Sequence, residues 1–111
     1  MILAATLALA QASPLASEAF MSGEELHQKC QEQIPLTCVA YVLGVSDALQ
    51  DAVSHNAPRL VCFGAEVETD ALLQAVIRYL RDHPETRQAR AAGLVITALR
   101  EAFPCSPVSA R

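Results

Sequence analysis

Residues 69–82, TDALLQAVIRYLRD, decide the fold class. At 100° per residue, Leu72, Leu73, Val76, Ile77 and Leu80 fall on one side of a helix. Gln74, Arg78, Arg81 and Asp82 fall on the other, the pattern of a helix with one face in a core. Thr69 stands where a helix cap is expected. His83-Pro84 breaks the run, and Pro84 suits the first position of a following helix. That next helix is expected to run to about Phe103 and stop at Pro104. Ala91, Ala92, Val95, Ala98, Leu99 and Ala102 would face inward, and Arg87, Arg90, Thr97, Arg100 and Glu101 outward. Leu94 falls among the polar positions, either exposed or part of a contact.

Two further helices precede this pair. From about Thr37 to His55, Cys38, Tyr41, Val42, Val45, Leu49 and Ala52 share a face, and Val39 and Leu43 widen it. A helix apolar over so much of its circumference is expected at the centre of the domain. Ala40-x-x-x-Gly44 reads as a site of close helix packing, with Asp47 beside it expected to pair with an Arg of a neighbouring helix. Ser22-Gly23-Glu24-Glu25 has the spacing of a capping box and opens a helix to about Gln33, before Ile34-Pro35. Its apolar content is thin, mainly Leu26 and Cys30, which predicts a helix on the outside. The stretch from Ser54 to Glu68 is irregular, with Asn56, Pro58 and Gly64 as breakers. The fold class is therefore all-α: a small four-helix domain made of two helical hairpins.

At 111 residues the chain has room for one domain. Eight basic and twelve acidic side chains give a net charge of −4, which points away from nucleic acid and from an anionic membrane. All charged side chains lie from Glu18 onward, and fourteen of the first twenty residues are apolar. The nine-residue run Ile2 to Ala10 is too short to span a bilayer and suits the apolar region of a secretory signal. Ser17-Glu18-Ala19 fits a small-x-small cleavage site that would leave Phe20 as the new N-terminus, with cleavage after Ala12 or Ala16 as the alternatives. The expected organisation is a leader over residues 1–19, a helical domain over 20–105 and an unstructured tail over 106–111. No lipoprotein cysteine follows the leader, so no stable membrane anchor is expected. The protein reads as exported and soluble.

Cys30, Cys38, Cys62 and Cys105 form an even set downstream of the leader, as in a disulfide framework. Two antiparallel hairpins favour Cys30–Cys38 and Cys62–Cys105. The rival pairing, Cys38–Cys62 with Cys30–Cys105, would tie the hairpins together. His27-x-x-Cys30 has half the spacing of a zinc site but lacks a second pair, and disulfide use of Cys30 explains it better. No metal and no cofactor are expected. Asp47 and Asp51 lie one turn apart without a partnering acid, His or Ser, and no nucleophile elbow or phosphate loop occurs. No catalytic residue is expected, and the chain is read as a binding protein rather than an enzyme. Of its aromatic residues, Tyr41, Tyr79 and Phe103 suit the core, and Phe20 and Phe63 near loops suit an interface.

Several segments together carry a resemblance. Phe20-Met21-Ser22-Gly23-x-x-Leu26-x-x-x-Cys30 precedes Cys38-x-x-Tyr41-Val42-x-Gly44-Val45-x-Asp47-Ala48. Cys62, the Thr69 helix and Tyr79-Leu80-x-x-His83-Pro84-Glu85 follow, then Ala98-Leu99-x-x-Ala102-Phe103-Pro104-Cys105. The chain resembles the Rap/Tai family of type VI secretion immunity proteins over nearly its whole mature length, departing from the family pattern at Gly64 to Glu68. The resemblance implies a periplasmic, disulfide-bonded helical protein, often a homodimer. Its implied partner is a peptidoglycan amidase effector with a cysteine-hydrolase-type active site, which it would block to protect the cell from its siblings. Ser22, Tyr41, Gly44, Asp47, Thr69 and Pro84 are then fold determinants rather than contacts. The 54–68 loop is the expected inhibitory segment, with Arg59, Phe63 and Glu66 as the candidate partner-binding residues. The rival reading is a periplasmic stress chaperone or envelope helper of the same fold, which would expose apolar surface under stress.

Overall fold

The computed structural model describes residues 19–106. The expected leader, apart from Ala19, and the tail beyond Ser106 lie outside them. Four α-helices run in order: α1 (Gly23–Cys30), α2 (Leu36–Ser54), α3 (Thr69–Asp82) and α4 (Ala91–Ala102), with a 3-10 turn over Pro84–Thr86 between the last two. The domain is all-α, with two disulfides. They join Cys30 to Cys38 across the α1–α2 hairpin and Cys62 to Cys105 across the ends of the α3–α4 hairpin.

The core follows the amphipathic pattern of α3. Leu72, Val76 and Leu80 meet Val95, Ala98 and Leu99 of α4, and Leu26, Cys38, Val42 and Val61 complete the cluster. The capping box at α1 is formed on both sides: Glu25 N–H donates to Ser22 Oγ, and Ser22 N–H donates to the Glu25 carboxylate, each at 3.1 Å. α2 ends at Ser54, and just beyond it Asn56 is the one non-glycine residue with a left-handed backbone among the described residues, φ 71°. Ala57 N–H then donates to the Ala52 carbonyl at 3.0 Å and closes the helix end.

Five expectations are corrected. α1 is not on the outside: Leu26 is fully buried, Gly23 and Cys30 are buried, and the helix touches all three others. A short helix with few apolar residues can still be internal when those residues are the ones facing in. α2 is not central: only Cys38, Val42 and Ser46 of its nineteen residues are buried, because α1 and α3 cover one line along it. By length and composition alone α2 could cross a membrane; here it is docked on the helical domain and cross-linked at Cys38.

α4 starts at Ala91 rather than at Pro84, and the reason is hydrogen bonding. The first free N–H groups of α1, at Gly23 and Glu24, donate to the carbonyls of Ala89 and Arg87, each at 2.8 Å. Carbonyls used this way are diverted from an α-helical ladder. Ala91 N–H returns a bond to Met21 O at 2.9 Å, so residues 21–23 and 89–91 lie antiparallel. Arg87, expected to face solvent, turns back instead. Its Nε donates to Leu80 O at 2.7 Å and its Nη2 to Arg81 O at 3.3 Å, satisfying carbonyls at the end of α3. Thr69 is the first residue inside α3 rather than its cap; Glu68 holds the cap position, with no side-chain cap bond. The Glu68 carbonyl accepts from Ala71 at 3.0 Å and from Leu72 at 3.3 Å, which starts the helix one residue earlier.

Candidate partner-binding surface

Two surfaces leave apolar or charged groups without neighbours in the domain. The first is the loop between α2 and α3. Val61 is buried in the core, and Val67 packs on it. Between them, Cys62 N–H donates to Phe103 O at 3.0 Å, and Cys62 is disulfide-bonded to Cys105. Phe63 tilts against Phe103, with ring centroids 5.6 Å apart. Gly64, Ala65 and Glu66 are exposed beyond this base. A groove of about 450 Å³ runs beneath them, lined by Gly64, Glu66, Val67, Glu68, Ala71 and Phe103.

The three loop residues singled out from sequence take different places. Glu66 is exposed, whereas Arg59 and Phe63 are half-buried. The Arg59 carbonyl lies 3.9 Å from Cys105 Sγ, and the Phe63 ring belongs to the loop's attachment. Leu60 is exposed to 40% and was missed by the sequence reading. Leu60 directly precedes the inward Val61.

The second surface is the outer flank of α2. Ala40, Tyr41, Gly44, Val45 and Ala48 line an open groove of about 370 Å³. The small residues Ala40 and Gly44, expected to admit a neighbouring helix, meet none: a Cβ on Gly44 would find no atom within 4 Å. Asp47, at the edge of this flank, is exposed, and no Arg pairs with it among the described residues. Burial raises the pKa of the Tyr41 phenol, and the backbone of Ala92 in α4 works in the opposite direction. Leu36, 70% exposed, and Ile34, 73% exposed, extend apolar surface beyond the N-terminal end of α2.

The remaining sequence candidates are structural. Ser22 caps α1, and Pro84 opens the 3-10 turn. Cys30 is taken by its disulfide, so the His27–Cys30 pair cannot serve as metal ligands. Phe20 is 65% exposed, with the Arg90 guanidinium carbon 4.5 Å from its ring centroid.

No curated protein and no solved structure matches the chain. The sequence profile described as Rap1a immunity proteins matches residues 22–105, from the Ser22 cap to the last cysteine. That span takes in all four helices and both disulfides. The chain thus belongs to the Rap1a immunity protein family.

Proposed function

We propose that this protein is a periplasmic immunity protein that binds a type VI secretion peptidoglycan amidase effector and blocks its cysteine-hydrolase-type active site. The observation that carries the reading is the family match over residues 22–105. Family membership gives an immunity-type role with a protein partner, and the two disulfides suit a location outside the cytoplasm. The 57–68 segment supports the choice of inhibitory surface. It combines an exposed tip with a cross-linked base, and a pre-ordered segment loses less entropy on entering a cleft.

Alanine at Leu60 or Glu66 is expected to weaken binding to a cognate amidase while leaving helix content unchanged. Arg59 is tested the same way, and Phe63→Leu keeps the packing on Phe103 while trimming the ring. If none of these variants weakens binding in a titration, the loop is not the inhibitory surface.

The outer flank of α2 supports pairing of two copies of the chain, because it is apolar, free of charge between Leu36 and Ser46, and open. The same exposed flank favours a second reading, that of an envelope chaperone. Suppression of aggregation of unrelated unfolded proteins, with no amidase bound, would select it.

A further inference from the structure

The two disulfides are not equivalent. Cys30 and Cys38 are 8% and 0% exposed and belong to the core. Cys62 and Cys105 are half-buried, outside the core, at the end of the α3–α4 hairpin. Exchange with an external thiol depends on access to a sulfur, which favours the outer bond.

The two bonds also hold different things. Cys30–Cys38 closes a hairpin whose helices are already packed through Leu26 and Val42. Cys62–Cys105 fastens an irregular segment to the stretch that follows α4, past Pro104. Beside it, Cys62 N–H donates to Phe103 O, Phe63 tilts against Phe103, the Arg59 carbonyl lies near Cys105 Sγ, and Val61 and Val67 hold the segment to the core. The packing of Leu72, Val76 and Leu80 against Val95 and Leu99 does not pass through it.

We propose that Cys62–Cys105 is a reducible fastener that sets the conformation of the 57–68 segment, so that a dithiol reductant releases this segment while the four helices stay folded. A thiolate of the reductant attacks one sulfur of the bond, forming a mixed disulfide and expelling the other cysteine as a thiolate, which takes up a proton. The second thiol of the reductant then resolves the mixed disulfide. The protein gains two thiols, and the reductant leaves as a disulfide. The consequence for binding rests on the proposed function, since the released segment is the inhibitory surface assigned there; the release itself does not.

The test uses the full mature chain treated with graded dithiothreitol, quenched with an alkylating agent and mapped by mass spectrometry. Cys62 and Cys105 are expected to be alkylated about tenfold or more faster than Cys30 and Cys38. Over the same interval helix content holds, and amide exchange rises across residues 57–68. A Cys62→Ser/Cys105→Ser variant should show the same raised exchange without reductant. The proposal is overturned if the four cysteines react at one rate, if Cys30 and Cys38 react first, or if exchange across 57–68 stays low after the outer bond is cut. It is equally overturned if the serine variant loses its helices. Failure of the oxidised protein to bind any amidase would instead remove the proposed function, because the exchange measurement needs no effector.

Discussion

Gly23 shows how one missing Cβ sets the geometry of the domain. A Cβ there would collide with Leu94 Cδ1 and stand 3.0 Å from the Arg87 Cα and carbonyl oxygen. This close approach lets Gly23 N–H reach Ala89 O and lets Leu94, 7% exposed, pack inward from a position that reads as polar. Gly23→Ala is expected to destabilise the fold by about 1–3 kcal/mol through overpacking. Gly93→Ala, where the new Cβ meets nothing within 4 Å, should be neutral or stabilise by up to about 1 kcal/mol through helix propensity. Chemical denaturation of the two variants side by side checks both signs.

His27, on the same helix, carries a pH dependence. Burial of its ring and the nearby Arg87 lower its pKa below the ordinary 6.5, and Glu24 works in the opposite direction. The unfolded chain therefore binds the proton more readily than the folded one, so stability falls as the pH drops below about 6.5 and is unaffected by this group above it. The thermal midpoint should decline between about pH 7 and about pH 5, and His27→Gln should reduce that decline. An identical decline in the variant would assign the acid sensitivity to other groups.

At the scale of the elements, the inward face of α3 was legible because its periodicity and its surroundings agree, whereas its cap was misplaced by one residue. The other helices show where periodicity runs out. The apolar face of α2 gave its existence and length but not its place, since hydrophobicity alone does not say which neighbour covers a face. Leu26 alone could not announce that α1 is internal; that follows from Gly23 and the 87–91 segment, a pairing distant in sequence. Pro84 suited the start of a helix by local rules, and the claim of the α1 N–H groups on Arg87 and Ala89 overrode them. The loop was legible as a segment pinned by Cys62, whereas Phe63 as part of its base and Leu60 as its exposed apolar residue needed coordinates.

The open flank of α2 makes a prediction at this scale. Gly44→Arg places a long cation in the groove without touching the rest of the monomer, because the space above Gly44 is empty. If the flank joins two copies, sedimentation should show a dimer for the wild-type protein. The variant should then be a monomer of unchanged helix content. A wild-type monomer, or a variant that still dimerises, would show that this flank is not the seam.

At the scale of the whole molecule, the cross-links matter because a chain this small buries a limited core. In the chain-entropy picture, closing loops of 8 and 43 residues contributes about 2.5 and about 4 kcal/mol respectively. The longer cross-link does the most to restrict the unfolded chain and also fastens the segment assigned to partner contact. Stability and the proposed binding surface thus depend on the same covalent bond. A protein built this way fits a role in which a rigid surface must meet an incoming enzyme.

That role is tested most directly by adding the purified, oxidised protein to a candidate type VI peptidoglycan amidase effector and following peptidoglycan hydrolysis. Hydrolysis is predicted to stop at a stoichiometric amount of the protein, with the two chains eluting together. Undiminished hydrolysis in the presence of excess folded, fully disulfide-bonded protein would contradict the account.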